Sequence, residues 1–197
     1  YSFSKGLPNL RKKIIDDINN EIAGNLNFEN VVVTHGAVQA FNSTISALLE
    51  YGDEVIILEP NWPSMDSIVL MNGGKPIKVN FLNSSISLVD QLENAFSDKT
   101  IMLCVNFPNN PTGLVINDKE LKEIKDWVIK KDIYLVSDEV YKFFNFSEFS
   151  STFVDLLSSY KKFIFIDSFS KKFAMTGWRI GYLISDIKII EKVLKAS

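Results

Sequence analysis

Two residue types that build many active sites are nearly missing. The 197-residue chain has one cysteine, Cys104, and one histidine, His35. A lone cysteine excludes an intrachain disulfide framework and a multi-cysteine zinc site. A lone histidine excludes a multi-histidine metal centre. Apolar runs stop after a few residues, far short of the about 20 that carry a helix across a bilayer. No basic start followed by an apolar segment marks a secretory leader, so the expected compartment is the cytoplasm. Neither sign of charge dominates: Lys plus Arg is 21, Asp plus Glu is 24, and the net charge is −3. Bulk charge therefore gives no case for nucleic acid or an anionic membrane as partner. Neither G-x-G-x-x-G nor G-x-x-x-x-G-K-[ST] occurs, which leaves a plain nucleotide-binding domain little support.

What is present is core-forming material in an alternating pattern. Hydrophobic residues make up 46% of the chain, including 15 Phe, three Trp and six Tyr, enough to bury one sizeable domain. Apolar residues at Leu7, Leu10, Ile14, Ile15, Ile18 and Ile22 predict a helix, with Gly24 as its stop. Ala37–Glu50, Ser87–Phe96 and Asn117–Lys131 also read as helices, the last capped by Asn117 or Asp118. Seven short segments read as strands: Val31–Thr34, Glu54–Leu58, Pro76–Asn80, Thr100–Val105, Ile133–Ser137, Phe163–Ile166 and Ile180–Ile184. Short, continuously apolar strands separated by helices predict an α/β fold with a mostly parallel sheet covered on both faces. The whole chain, 1–197, reads as one domain.

In such sheets, ligands sit beyond the carboxyl ends of the strands. After the first strand comes Thr34-His35-Gly36-Ala37-Val38, a small-residue turn opening a helix, which suits a phosphate. Trp62 lies between prolines, placed either over the core or as a stacking face. Asn106-Phe107-Pro108-Asn109-Asn110-Pro111-Thr112-Gly113 is rigid turn chemistry whose adjacent amides could also hold a ring substituent. Asp138-Glu139-Val140-Tyr141 puts a carboxylate at the end of a buried strand, where it either caps the next segment or faces a buried cation. After the sixth strand come Ser168, Ser170 and Lys171, then Arg179 eight residues beyond the lysine. Cys104 reads as a small core residue, and His35 as structural. Lys12-Lys13 and Lys161-Lys162 read as solvated surface.

Asn-Pro-Thr-Gly, then Asp-Glu-Val-Tyr, then Ser-Phe-Ser-Lys and Gly-Trp-Arg-Ile-Gly-Tyr together resemble the fold-type I pyridoxal-phosphate enzymes, in particular the class I/II aminotransferases. The resemblance runs over nearly the whole chain. It implies the large domain of that fold, a mixed, mostly parallel seven-stranded sheet between helical layers, and pyridoxal 5'-phosphate as cofactor. It implies Lys171 as the lysine that forms the Schiff base and moves the proton at the substrate α-carbon. Asp138 matches the partner of the ring nitrogen, which keeps the ring an electron sink. Tyr141 and Asn110 match the groups on the ring 3-oxygen, and Trp62 the aromatic on the ring face. Gly36, Ala37 and Val38 match the phosphate turn. Ser168, Ser170 and Arg179 match the phosphate cup, where a guanidinium can hold two oxygens at once. Tyr1 matches a tyrosine that reaches the phosphate of the neighbouring subunit, implying a homodimer with shared sites.

The implied substrates are an L-amino acid and a 2-oxo acid, with amino-group transfer as the reaction. A carbon–sulfur lyase, a cyclopropane-forming synthase or a non-catalytic binding module on the same scaffold are the competing readings. Family members continue into a small domain that supplies an arginine for the substrate carboxylate. Arg179 is the last arginine of this chain, and Tyr1 stands where an initiator methionine would. The expectation is thus a cofactor-binding large domain without the small domain and N-terminal arm, able to hold cofactor but poor at turnover.

Overall fold

The computed structural model describes residues 3–83 and 85–196. Seven strands, β1 (Val31–Thr34), β2 (Glu54–Glu59), β3 (Lys75–Asn80), β4 (Thr100–Asn106), β5 (Tyr134–Asp138), β6 (Phe163–Ser168) and β7 (Gly181–Ser185), form one sheet in the order β1-β7-β6-β5-β4-β2-β3. Strand β7 runs antiparallel to both β1 and β6, and the remaining pairs are parallel. The carboxyl ends of β1, β2, β3, β4, β5 and β6 therefore share one edge, and β7 begins there.

Helices cover both faces: α1 (Pro8–Ile22), α2 (Ala37–Leu48), α3 (Ser64–Met71), α4 (Leu88–Ala95), α5 (Asp118–Lys131), the single turn α6 (Phe169–Lys172) and α7 (Ile187–Lys195). The strands explain the layering. Side chains alternate across a strand, so Val55, Ile57, Met102, Cys104, Val136, Ile164, Ile166 and Leu183 pack on one face with α2, α3 and α7. Ile56, Leu58, Leu103, Val105, Leu135, Phe163, Phe165 and Ile184 pack on the other with α1, α4 and α5. Burial on both faces accounts for the lack of a polar stripe in these strands. Cys104 is fully buried, and loss of solvent pushes its thiol well above the ordinary range, which suits a core residue.

Helix ends follow local chemistry. Pro8 begins α1 without losing a needed donor. Asn117 and Glu120 form a reciprocal capping box on α5, whose last turn carries Lys130 and Lys131 against the helix dipole. The expected stop at Gly24 is shifted by one residue. Ala23 takes the left-handed conformation at φ 49°, and the Gly24 N–H then returns to the Asn19 carbonyl. Lys12 and Lys13 are exposed and pair with Asp16 and Asp17 one turn on. Besides the single turn α6, two helices were not expected from the sequence. Helix α3 is short and follows Pro63 directly. Helix α7 is capped by Asp186, whose side chain accepts from the Lys188 N–H.

Candidate cofactor site

At the shared strand edge, on the α2 face, lies a cleft of about 260 Å³. Ala37, Val38, Trp62, Asn110, Asp138, Tyr141, Ser168, Ser170, Lys171 and Arg179 line it, together with Val140 and Thr176. Ten sequence-predicted residues, from five separate segments, thus converge on one cavity. Gly36 is not among the lining residues, but it precedes Ala37 and adjoins the Arg179 guanidinium. Tyr1 falls outside the described residues. Val140 and Thr176 were missed. Val140 is apolar and sits inside a motif read for its charged members, and Thr176 carries no signal beyond its neighbours.

One end of the cleft is built for an anion. Gly36 is the N-cap of α2, with φ 85° and ψ 168°, and no side chain caps the helix. The first-turn N–H groups of Ala37 and Val38 therefore remain available to a ligand. A Cβ at Gly36 would run into the Arg179 guanidinium, so the arginine packs against this turn. Arg179 reaches it from a left-handed backbone, φ 52°, with Nη1 donating to the Thr176 carbonyl at 3.1 Å. Gly181 closes the arrangement from behind. A Cβ there would meet the Gly36 carbonyl carbon at 2.6 Å and the Ala37 nitrogen at 2.7 Å. The buried Ser168 and Ser170 complete the rim, with Ser168 Oγ accepting from the Ser170 N–H at 3.3 Å.

The other end carries a buried acid. Asp138 is 5% exposed at the tip of β5 and accepts from the Val140 N–H at 3.3 Å. Burial pushes its carboxyl up to about 7, and the neighbouring Asp167 and Glu139 add to the rise. No lysine, arginine or histidine among the described residues forms an ion pair with it. The Trp62 indole N–H lies towards Asp138 and favours its charged form, yet makes no hydrogen bond of ordinary geometry and is buried without a partner. A buried carboxylate without a counter-ion suits a cationic ring N–H from a ligand. Trp62 is half-buried and meets Phe41 edge-on at 6.0 Å between ring centroids. It therefore packs on the core and lines the cleft at once.

Between these ends, the exposed Lys171 Nζ stands 5.4 Å from the centre of the Tyr141 ring. The Tyr141 hydroxyl and the Asn110 amide make no hydrogen bond among the described residues, so both remain available to a ligand. Asn109, read alongside Asn110 from the sequence, turns away: its Nδ2 donates to the Pro60 carbonyl at 2.8 Å.

A larger cavity, about 400 Å³, opens on the α1 face of the same strand ends. Its inner acids, the buried Glu139 and the half-buried Asp167, are satisfied from within. Glu139 accepts from Ser137, Thr152 and the Phe153 N–H. Asp167 accepts from the Ser168 N–H and from the Tyr182 hydroxyl at 2.8 Å. Burial pushes Glu139 up to about 7 and raises Asp167 as well. The smaller cleft, with its lysine, anion turn and unpaired acid, is the one equipped for a phosphorylated cationic ring.

Comparison with known proteins decides the family. Residues 1–197 match the family model of aminotransferase class I and II. The chain belongs to the class I and II aminotransferases. Among curated relatives, it is 38% identical over 200 residues to an aspartate aminotransferase of Pyrococcus abyssi. It is 34% identical to a (5-formylfuran-3-yl)methyl phosphate transaminase of Methanocaldococcus jannaschii. Each match takes in 99% of this chain but 51% and 50% of the relative, so the chain spans about half the length of the curated relatives it matches. Among solved structures, an aromatic aminotransferase of Pyrococcus horikoshii superposes with a TM-score of 0.90 at 35% identity, over 99% of this chain and 53% of that one. A mutant of Thermus thermophilus aspartate aminotransferase gives 0.91 at 30% identity, over 99% and 54%. The seven-stranded, mostly parallel sheet is thus the aminotransferase fold, and the family implies pyridoxal phosphate.

Proposed function

We propose that residues 1–197 form the cofactor-binding domain of a pyridoxal-phosphate aminotransferase that moves an amino group between an L-amino acid and a 2-oxo acid. The observation that carries this reading is the convergence of Lys171, the uncompensated Asp138 and the Gly36–Arg179 anion turn on one cleft. When bound, pyridoxal phosphate supplies an electron sink for the negative charge left at the substrate α-carbon. The chain supplies the rest. Arg179, the Ser168 and Ser170 hydroxyls and the α2 amides bind the phosphate. Asp138 holds a proton at the ring nitrogen, and its burial strengthens that charged pairing. Tyr141 and Asn110 donate to the ring 3-oxygen. Trp62 covers the ring face and excludes water. Lys171 is the tethering amine and then the base that moves the proton at the substrate α-carbon.

The protein works as a cytoplasmic homodimer in this reading, with Tyr1 of one copy beside the phosphate of the other. The relatives' names span aspartate, aromatic and phosphorylated substrates, and the amino acid stays unassigned.

The test is covalent. The purified chain is incubated with pyridoxal phosphate, reduced with borohydride and mapped by mass spectrometry beside Lys171→Ala. Label on Lys171, absent from the variant, is the expected result. Label scattered over other lysines, or none, overturns the assignment. Release of a keto acid without ammonia then separates transamination from lyase chemistry.

A further inference from the structure

The residues that line the cleft come from separate loops, so their spacing must be set from beneath. Two buried asparagines do this. Asn106 ends β4, is 4% exposed, and pairs in register with Asp138 on β5. Its Nδ2 donates to the Asp138 carbonyl at 2.9 Å, and its Oδ1 accepts from the Asn110 N–H at 2.8 Å. Asn109, 5% exposed, donates to the Pro60 carbonyl, two residues before Trp62, and accepts from Thr112 Oγ1 at 2.7 Å. One amide spans Asp138 and Asn110. The other spans the Trp62 loop and the turn that carries Asn110.

We infer that Asn106 is a positioning residue for the cofactor, fixing the group that meets the ring nitrogen relative to the group that meets the 3-oxygen. This inference rests on the pyridoxal-phosphate reading of the cleft. Asn106 touches neither atom of the ring in that reading and acts only through Asp138 and Asn110. The amide is suited to the task because it donates and accepts in one fixed plane. An aspartate in its place would keep the acceptor for Asn110 but set a second acceptor against the Asp138 carbonyl. It would also add charge next to Asp138, whose carboxyl already feels Asp167 and Glu139. An alanine would take this amide partner from the buried Asp138 carbonyl and from the half-buried Asn110 N–H.

Asn30 provides the control. It is also buried, at 8% exposed, and also bridges two segments, donating to the Ser185 carbonyl at 2.9 Å and accepting from the Asn27 N–H at 3.1 Å. It does so at the end of β1 and β7 away from the cleft. Wild type, Asn106→Ala, Asn106→Asp and Asn30→Ala are compared in three measurements: thermal unfolding without cofactor, pyridoxal-phosphate affinity by absorbance titration, and the pH at which the bound cofactor's visible band titrates.

The alanine variants at 106 and 30 should lose comparable thermal stability. Only the Asn106 variants should weaken cofactor binding, by about tenfold or more, and move the titration of the band. If Asn106→Ala fails to fold, Asn106→Asp, which keeps the shape and one hydrogen bond, carries the comparison. Asn106 variants that bind and titrate like wild type overturn the positioning role alone, as do equal effects from Asn30→Ala. Failure of the wild-type chain to take the cofactor on Lys171 overturns the functional reading, and the positioning role falls with it.

Discussion

Replacing Gly36 by alanine separates backbone strain from ligand chemistry, because the two costs fall on different measurements. At φ 85° and ψ 168° the backbone lies where only glycine rests comfortably, and an L-residue there costs about 1–3 kcal/mol. For a chain of this size, 1 kcal/mol is roughly 2–4 °C in Tm, so the cofactor-free variant should melt about 2–12 °C lower. The added Cβ also collides with the Arg179 guanidinium. That group is the far end of a flexible, exposed side chain, held by one hydrogen bond to the Thr176 carbonyl at 3.1 Å. It should swing aside rather than push back on the sheet. The affinity for pyridoxal phosphate then drops by the value of one charge-assisted contact, about tenfold to a hundredfold. A double-mutant cycle reads the mechanism directly. With Arg179→Ala already present, Gly36→Ala should keep its full Tm cost but lose most of its affinity cost. An unchanged Tm, or an affinity cost just as large without the arginine, would refute the reasoning.

Three further outcomes can be checked by unfolding. The Asp138 carboxyl sits at about 7 in the fold against an ordinary 3.8. The folded state thus holds a proton there that the unfolded chain gives up, and this contribution to stability is full below pH 4 and lost as pH rises towards 7. Asn at 138 removes that slope, so urea unfolding should show Asp138→Asn gaining on wild type by roughly 2–4 kcal/mol between pH 4 and pH 8; parallel pH profiles would contradict it. Tyr182→Phe strips the half-buried Asp167 of its hydroxyl donor and should cost about 1–3 kcal/mol, seen as a lower urea midpoint with an unchanged slope. Phe153→Ala empties a site that is 0% exposed and should cost about 3–5 kcal/mol; a loss below 1 kcal/mol would mean the core closes over the gap.

Much of this architecture was legible in the sequence, and the gaps have physical reasons. The inner strands stood out because burial on both faces leaves an unbroken apolar run, as in Val55–Leu58. Helix α5 stood out because Asn117 or Asp118 marks its start; the reciprocal bond from Glu120 emerged only in the structure. Helix α3 was not expected because its start adjoins Pro63, in a segment read only for the loop that carries Trp62, although Met65, Ile68 and Val69 already carry helical spacing. Helix α7 had both its cap at Asp186 and its stripe at Ile189, Ile190 and Val193, and simply follows the last strand too closely to stand apart. Ala23 displaced Gly24 because the Gly24 N–H was needed to close the helix end, a choice that side-chain identity does not reveal. Strand order was not legible: apolar runs say that strands are buried, not which neighbours they take. At the site, Lys171, Asp138 and Arg179 were readable as chemistry. Asn106 was not, because its role lies in which two backbone groups it joins, and those meet only after β4 and β5 pair.

The reversed direction of β7 has a kinetic consequence. Because β7 starts at the edge where β6 ends, the chain leaves and re-enters the sheet with no crossover helix between them. Ser168, Ser170, Lys171 and Arg179 all sit on that single excursion. Contacts close in sequence form early, while parallel pairings must wait for long loops to close. Lys171, Ser168, Ser170 and Arg179 are therefore brought together by a hairpin-scale event, whereas the Gly36–Val38 turn joins them only when β1 pairs with β7 across most of the chain. Trp62, Asn110 and Asp138 take their places only after β2, β4 and β5 have found one another. During folding, the lysine and the Arg179 side of the cup should thus precede both the α2 turn and the half that reads the ring.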